Sequence, residues 1–82
     1  MKMNVFEYTV TERDEDIAAF ENLDDAIAFA RKVADTRHNH VHVINAFTGE
    51  VHYYAEVYAY ICYNSRKECI DTIYKVKENG ES

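Results

Sequence analysis

The run from His40 to Tyr58, HVHVINAFTGEVHYYAEVY, alternates in chemical character on both sides of a short break that contains a glycine. Alternation with a period of two marks a half-buried strand, and Phe47, Thr48 and Gly49 supply a turn with glycine where a left-handed backbone is needed. A hairpin is expected, with strands over residues 39–46 and 50–62. With Phe47 and Thr48 in a type I turn and Gly49 at the bulge position, Ala46 faces Glu50, Ile44 faces His52, His42 faces Tyr54 and His40 faces Glu56. Val41, Val43, Val51, Tyr53, Ala55 and Val57 then share one face, which belongs to the core. His40, His42, Ile44, His52, Tyr54, Glu56 and Tyr58 share the other.

A helix is available to cover the valine face. Leu23, Ala26, Ile27, Ala30, Val33 and Ala34 recur at steps of three and four, with Phe29 at the flank. Asn22 has the character of an N-cap, Asp24 and Asp25 suit the positive end of the helix dipole, and Arg31, Lys32 and Arg37 suit the negative end. The spacing predicts a helix over residues 23–36. Upstream, residues 1–12 alternate as a strand, the polar run Arg13, Asp14, Glu15, Asp16 breaks the pattern, and residues 15–21 resume it, which reads as a first hairpin. Downstream, residues 65–78 carry two signals. Ser65 with Glu68 forms a capping box, and Cys69, Ile70, Ile73 and Val76 recur at helical spacing, which tips the reading toward helix. Ile70, Thr72, Tyr74 and Val76 also alternate well enough for a strand.

The expected class is α+β: an antiparallel sheet of four strands, or five, in the order β-β-α-β-β plus a C-terminal helix or strand, with the helix on one sheet face. Eighty-two residues make a single domain, and a chain of this size buries roughly 60–65% of its unfolded surface. Two glycines and no proline leave little room for long irregular loops. The N-terminal MKMNVFEYTV alternates and is neither a secretory signal nor a membrane span, so a cytoplasmic protein is expected. Cys62 and Cys69 have no CxxC spacing and read as reduced thiols, in preference to a hairpin disulfide.

A net charge of −6 and a pI near 5.0 disfavour direct binding to nucleic acid or to an anionic membrane and favour a basic protein partner. Three features bear on what such a protein does. His40 and His42 on one strand face, with His52 diagonally across, present a set of nitrogens that would suit zinc, but a shaped cavity and groups to orient the imidazoles are missing from the pattern. Solvated strand histidines are therefore preferred, and no cofactor is expected. Six of the seven tyrosines fall in the second half of the chain, with Tyr54, Tyr58 and Tyr60 on the histidine face. An exposed tyrosine row suits an interface, because the ring gives stiff contact area with a polar tip. Finally, Glu12, Asp14, Glu15, Asp16, Glu21, Asp24 and Asp25 are expected to crowd one end of the molecule, as a solvated loop or as carboxylates offered to a basic groove. Calcium is disfavoured, since the spacing lacks an EF-hand glycine and terminal glutamate. No nucleophile motif or glycine-rich phosphate loop is present, and an enzyme is not expected.

The succession of a hairpin, FENLDDAIAFARKVA, a strand, TGEVHYY and a further strand resembles the small acidic accessory proteins of phages and mobile elements, a group that includes anti-CRISPR proteins. The resemblance covers roughly the first two thirds of the chain, is one of style and size, and carries over no functional residue. It implies a cytoplasmic inhibitor that occludes a host protein or protein–nucleic acid complex, sometimes as a dimer, by steric blocking and nucleic acid mimicry. From the residues, the expected contact set is Asp14, Glu15, Asp16, Asp24, Asp25, Tyr54, Glu56, Tyr58 and Tyr60. A metal-binding module using His40, His42 and His52, and a small structural homodimer, are the alternatives.

Overall fold

The computed structural model describes residues 5–79. Five antiparallel strands and one helix follow along the chain as β1 (Tyr8–Glu12), β2 (Glu15–Phe20), α1 (Leu23–Arg37), β3 (Val41–Asn45), β4 (Val51–Tyr63) and β5 (Cys69–Glu78). In space the strands lie in the order β2-β1-β3-β4-β5, which differs from their succession along the chain. β2 and β3 both pair antiparallel to β1 from opposite sides, so β2-α1-β3 is a crossover that carries the helix over β1.

α1 forms where both of its ends are satisfied. The Asn22 side-chain oxygen accepts from the Asp24 N–H at 2.8 Å and the Asp25 N–H at 3.4 Å. At the other end His38 adopts a left-handed conformation, with φ of 56°, and its N–H donates to the Ala34 carbonyl at 3.0 Å. The buried stripe is Ala26, Ala30, Val33 and Ala34. Three alanines let the helix axis come close to the sheet, where Val10, Val41, Val43 and Ala55 are fully buried.

The C-terminal segment is a strand, and the helical reading of residues 65–78 is corrected. The side chain of Asn64 takes the N–H groups that a helix would have begun with, accepting from Arg66 at 2.9 Å and from Glu68 at 3.0 Å. The turn it closes sends the β-branched run back along β4, paired from Tyr63↔Cys69 to Ala55↔Glu78. The first strand is also shorter than residues 1–12: it begins at Tyr8, and residues 1–4 lie outside the described residues.

β4 and β5 outrun the rest of the sheet. β3 begins only at Val41, opposite Ala55, whereas β4 runs on from Ala55 to Tyr63. The outer part of the β4–β5 hairpin is thus a two-stranded arm projecting past the C-terminal end of α1. The molecule measures 66 × 24 × 18 Å with a radius of gyration of 16.2 Å. A compact chain of this length would have a radius near ~12 Å, and the arm accounts for the difference.

Candidate functional site

Among the described residues no element covers the face of the sheet opposite α1. Across it lie Asp16 of β2, Thr11 of β1, His42 and Ile44 of β3, and Val51, Tyr54, Glu56, Tyr58 and Tyr60 of β4, as cross-strand partners or alternating neighbours. The expected shared face of His42, Ile44, Tyr54, Glu56 and Tyr58 is present, because His42 pairs with Tyr54. Tyr58 and Tyr60 are exposed, and Tyr54 and Glu56 are half-buried.

Two positions of the hairpin change sides. The turn places Asn45 opposite Glu50, joined by an N–H to carbonyl bond of 2.8 Å, and Ile44 pairs with Val51. That is one residue short of the expected register, and a bulge at His52 restores it before Tyr53 meets Val43. The shift originates in Asn45, whose side-chain oxygen accepts from the Phe47 and Thr48 N–H groups at 2.8 and 3.0 Å and enlarges the turn. Val51 therefore joins the open face beside His42 and Ile44. His52 leaves it, with its ring edge-on to Tyr8 at 5.5 Å and its Nε2 buried without a hydrogen-bond partner among the described residues.

The three-histidine metal set is thereby taken apart. His40 is also engaged, since its Nδ1 accepts from the Val57 N–H at 2.9 Å and caps β4 beyond the start of β3. Among the described residues no group of three or more His, Cys, Asp or Glu side chains converges as a metal site would require.

The acidic residues do not crowd one end. β2 runs back along β1, so Arg13 and Asp14 form a two-residue turn at one end of the sheet while Glu21 emerges at the other. The turn has φ of 51° and 66° at these two residues, the type I′ combination that suits a tight hairpin. Asp24 and Asp25 lie at the start of a 15-residue helix and Glu12 beneath its end, about 22 Å apart along the helix axis. Glu12 is bound by the Asn39 amide at 2.9 Å and by Arg37 at 2.8 Å. The Asn39 hydrogen bond and the Arg37 guanidinium hold its carboxyl below the usual range. Asp24 and Asp25 thus belong to the helix start, while Asp14 and Asp16 belong to the open face.

On that face two shallow hollows meet at Asp14 and His42. One, of about 220 Å³, is lined by Arg13, Asp14, His40, His42 and Glu56. The other, of about 320 Å³, is lined by Thr11, Asp14, Asp16, His42, Ile44 and Val51. The first hollow sits at the root of the arm and the second runs back from it toward Ile44 and Val51, while the tyrosine row continues outward from the first. Tyr58 donates its hydroxyl to Glu56, which raises the phenol above its ordinary range and fixes the ring edge-on to His40 at 6.3 Å. Lys75 lies 5.4 Å from the centre of the Tyr60 ring. The chemistry on offer is carboxylate oxygens, hydrogen-bonding groups and aromatic faces, which suit cationic and aromatic side chains, with the cations of Arg13 and Lys75 beside them to pair with acidic ones.

Some working residues carried no sequence signal. Glu78 accepts from the Tyr53 hydroxyl at 2.7 Å and from Arg31 Nε and Nη2 at 2.9 and 3.2 Å, tying β5 to the helix at the arm's root. His38 stacks on Tyr74, with ring centres 3.9 Å apart. Both contacts need β5 to be a strand. Cys62 and Cys69 are free, each paired across the hairpin with another residue, Asp71 and Tyr63 respectively. Among the described residues no helix is long and apolar enough to cross a membrane. Comparison of the chain with protein-family models, with curated proteins and with solved structures finds no match.

Proposed function

We propose that the protein is a non-catalytic protein-binding modulator, which lays the open face of its sheet against a basic surface of another protein and occludes it. The observation that carries this reading is the uncovered face itself: carboxylates of Asp14, Asp16 and Glu56 at the arm's root run into the exposed rings of Tyr58 and Tyr60. Stiff aromatic area with a polar rim is the composition of interface cores, and a net charge of −6 steers basic partners toward it. The mechanism is steric and electrostatic, with no turnover. An anti-CRISPR-like inhibitor of a nucleic-acid-handling complex fits this reading, because surface carboxylates can occupy a groove built for phosphates.

The test is affinity capture from cell lysate with three baits: the unaltered chain, Asp14→Lys with Asp16→Lys, and Tyr58→Ala. A partner retained by the first, released by salt and lost from both variants is the expected result. Retention of the same proteins by all three baits would remove this face as the contact surface.

A further inference from the structure

The arm has a feature separate from the open face: among the described residues no strand pairs with the outer edge of β5 over residues 72–76, where the Thr72 N–H is held only by the neighbouring Asp71 Oδ1 at 2.8 Å. β5 is the last strand of the sheet, and its ten residues run from Cys69 to Glu78. The Asn79 N–H donates to the Tyr54 carbonyl at 3.1 Å, which sets the phase of the ladder. Odd-numbered residues from Asp71 to Lys77 turn their backbone groups toward β4, and Thr72, Tyr74 and Val76 turn theirs outward. Long exposed edges of this kind template a further strand. A two-stranded ribbon is itself marginal in water, and this one exposes Tyr60, Ile61, Ile70, Ile73 and Tyr74 at 45–64%.

We propose that the strand completing this edge is β5 of a second copy, paired antiparallel about a two-fold axis at Ile73. Three properties of the edge select this occupant and register. A two-fold axis perpendicular to the sheet keeps each face on its own side, so residues of like parity must pair. Centred on Ile73, it sets Thr72 against Tyr74 through their outward backbone groups, the Thr72 N–H exchanging Asp71 Oδ1 for a Tyr74 carbonyl, and it pairs Ile73 with its own copy. It also sets Asp71 against Lys75 twice on the open face, an opposite-charge cross-strand pair in each half. An axis one step further along, at Tyr74, would keep an acid–base pair, Asp71 with Lys77, but would set Ile73 against Lys75 twice, mismatching apolar with charged side chains. Within one chain Lys75 rests over Tyr60, and its flexible stem allows the ammonium to swing to Asp71 of the second copy.

The product is a continuous ten-stranded sheet, with the two helix-covered ends at opposite extremities of the joined arms. Both open faces stay uncovered. The edge pairing therefore stands independently of the protein-binding role.

Sedimentation of the full chain across the micromolar range, together with directed cross-linking, tests the pairing. With Cys62 and Cys69 replaced by serine, Ile73→Cys places a thiol opposite its own copy in a non-hydrogen-bonded pair. The Cα separation there is about 4.5 Å, within disulfide reach. The expected results are a dimer and rapid intermolecular disulfide formation by Ile73→Cys but not by Lys75→Cys. Asp71→Lys should weaken association on the order of ten- to a hundredfold, and adding Lys75→Asp should restore it. Circular dichroism separates loss of pairing from loss of fold. A chain that stays monomeric throughout the range overturns the proposal. So does a cross-linking maximum at another position, or a charge swap that fails to rescue while the variants remain folded.

Discussion

Replacing Glu78 with alanine should loosen the arm at its root, by an amount that can be worked out from the contacts it makes. The carboxylate receives the hydroxyl of Tyr53, a residue only 4% exposed, and a two-pronged contact from Arg31, whose side chain is 56% exposed. A hydrogen bond to a charged group contributes about 1.5–3 kcal/mol, much of it the cost of leaving the buried partner unsatisfied. The solvent-screened Arg31 contact adds about 0.2–1 kcal/mol. Glu78→Ala should therefore cost about 2–3 kcal/mol, a drop in Tm of roughly 10 °C or more for a domain this small. Tyr53→Phe removes the buried hydroxyl, so Glu78→Ala made in that background should cost under about 1 kcal/mol. Urea titration of the four proteins gives the coupling, and amide exchange in β5 should accelerate in Glu78→Ala. Equal costs in the two backgrounds would refute the claim that Glu78 serves chiefly to satisfy Tyr53 and hold β5 to the core.

Three shorter expectations follow from the same contacts. Because the Glu12 carboxyl is held below its unfolded value, its stabilisation is present above that value, near 4.5, and is lost as pH falls through the folded one. Urea midpoints should decline from about pH 5 downward, and Glu12→Gln should flatten that decline. Val43→Ala, at a fully buried position, should cost about 2–3 kcal/mol, whereas Ile61→Ala on the arm, 52% exposed, should cost under about 1 kcal/mol by the same titration. Asn64→Ala deprives two N–H groups of their acceptor at the arm's tip, so exchange should quicken locally around residues 62–71 with a stability loss of about 1 kcal/mol.

The parts of the fold that were legible in the sequence are those decided by near neighbours. Asn22, the alanine stripe and the charge bias of its two ends mark α1 without reference to the sheet, and the structure ends it within a residue of the expected boundary. The valine and histidine alternation sets most of the core and open faces correctly. It fails at Val51 and His52 because the turn length depends on Asn45 accepting two backbone N–H groups, a choice that alternation does not encode. At residues 65–78 two local signals competed, and the outcome rested on pairing with β4, which is non-local. The acidic residues adjacent in sequence were separated for a related reason: a six-residue strand and a 15-residue helix lie between or beside them and carry them to opposite ends. The unequal lengths of β3 and β4 were legible in the expected strands over residues 39–46 and 50–62, but the two-stranded arm was not, because it needs β5 to pair along the excess of β4.

A photo-reactive residue placed at Tyr58, on the open face, or at Ala28, exposed on the outer side of α1, tests the working surface most directly. In cells expressing each variant, irradiation at position 58 should give discrete covalent adducts with another protein, and position 28 should give none. Adducts of equal yield from both positions, or from position 28 alone, would contradict the assignment of the tyrosine-bearing face as the site of partner binding.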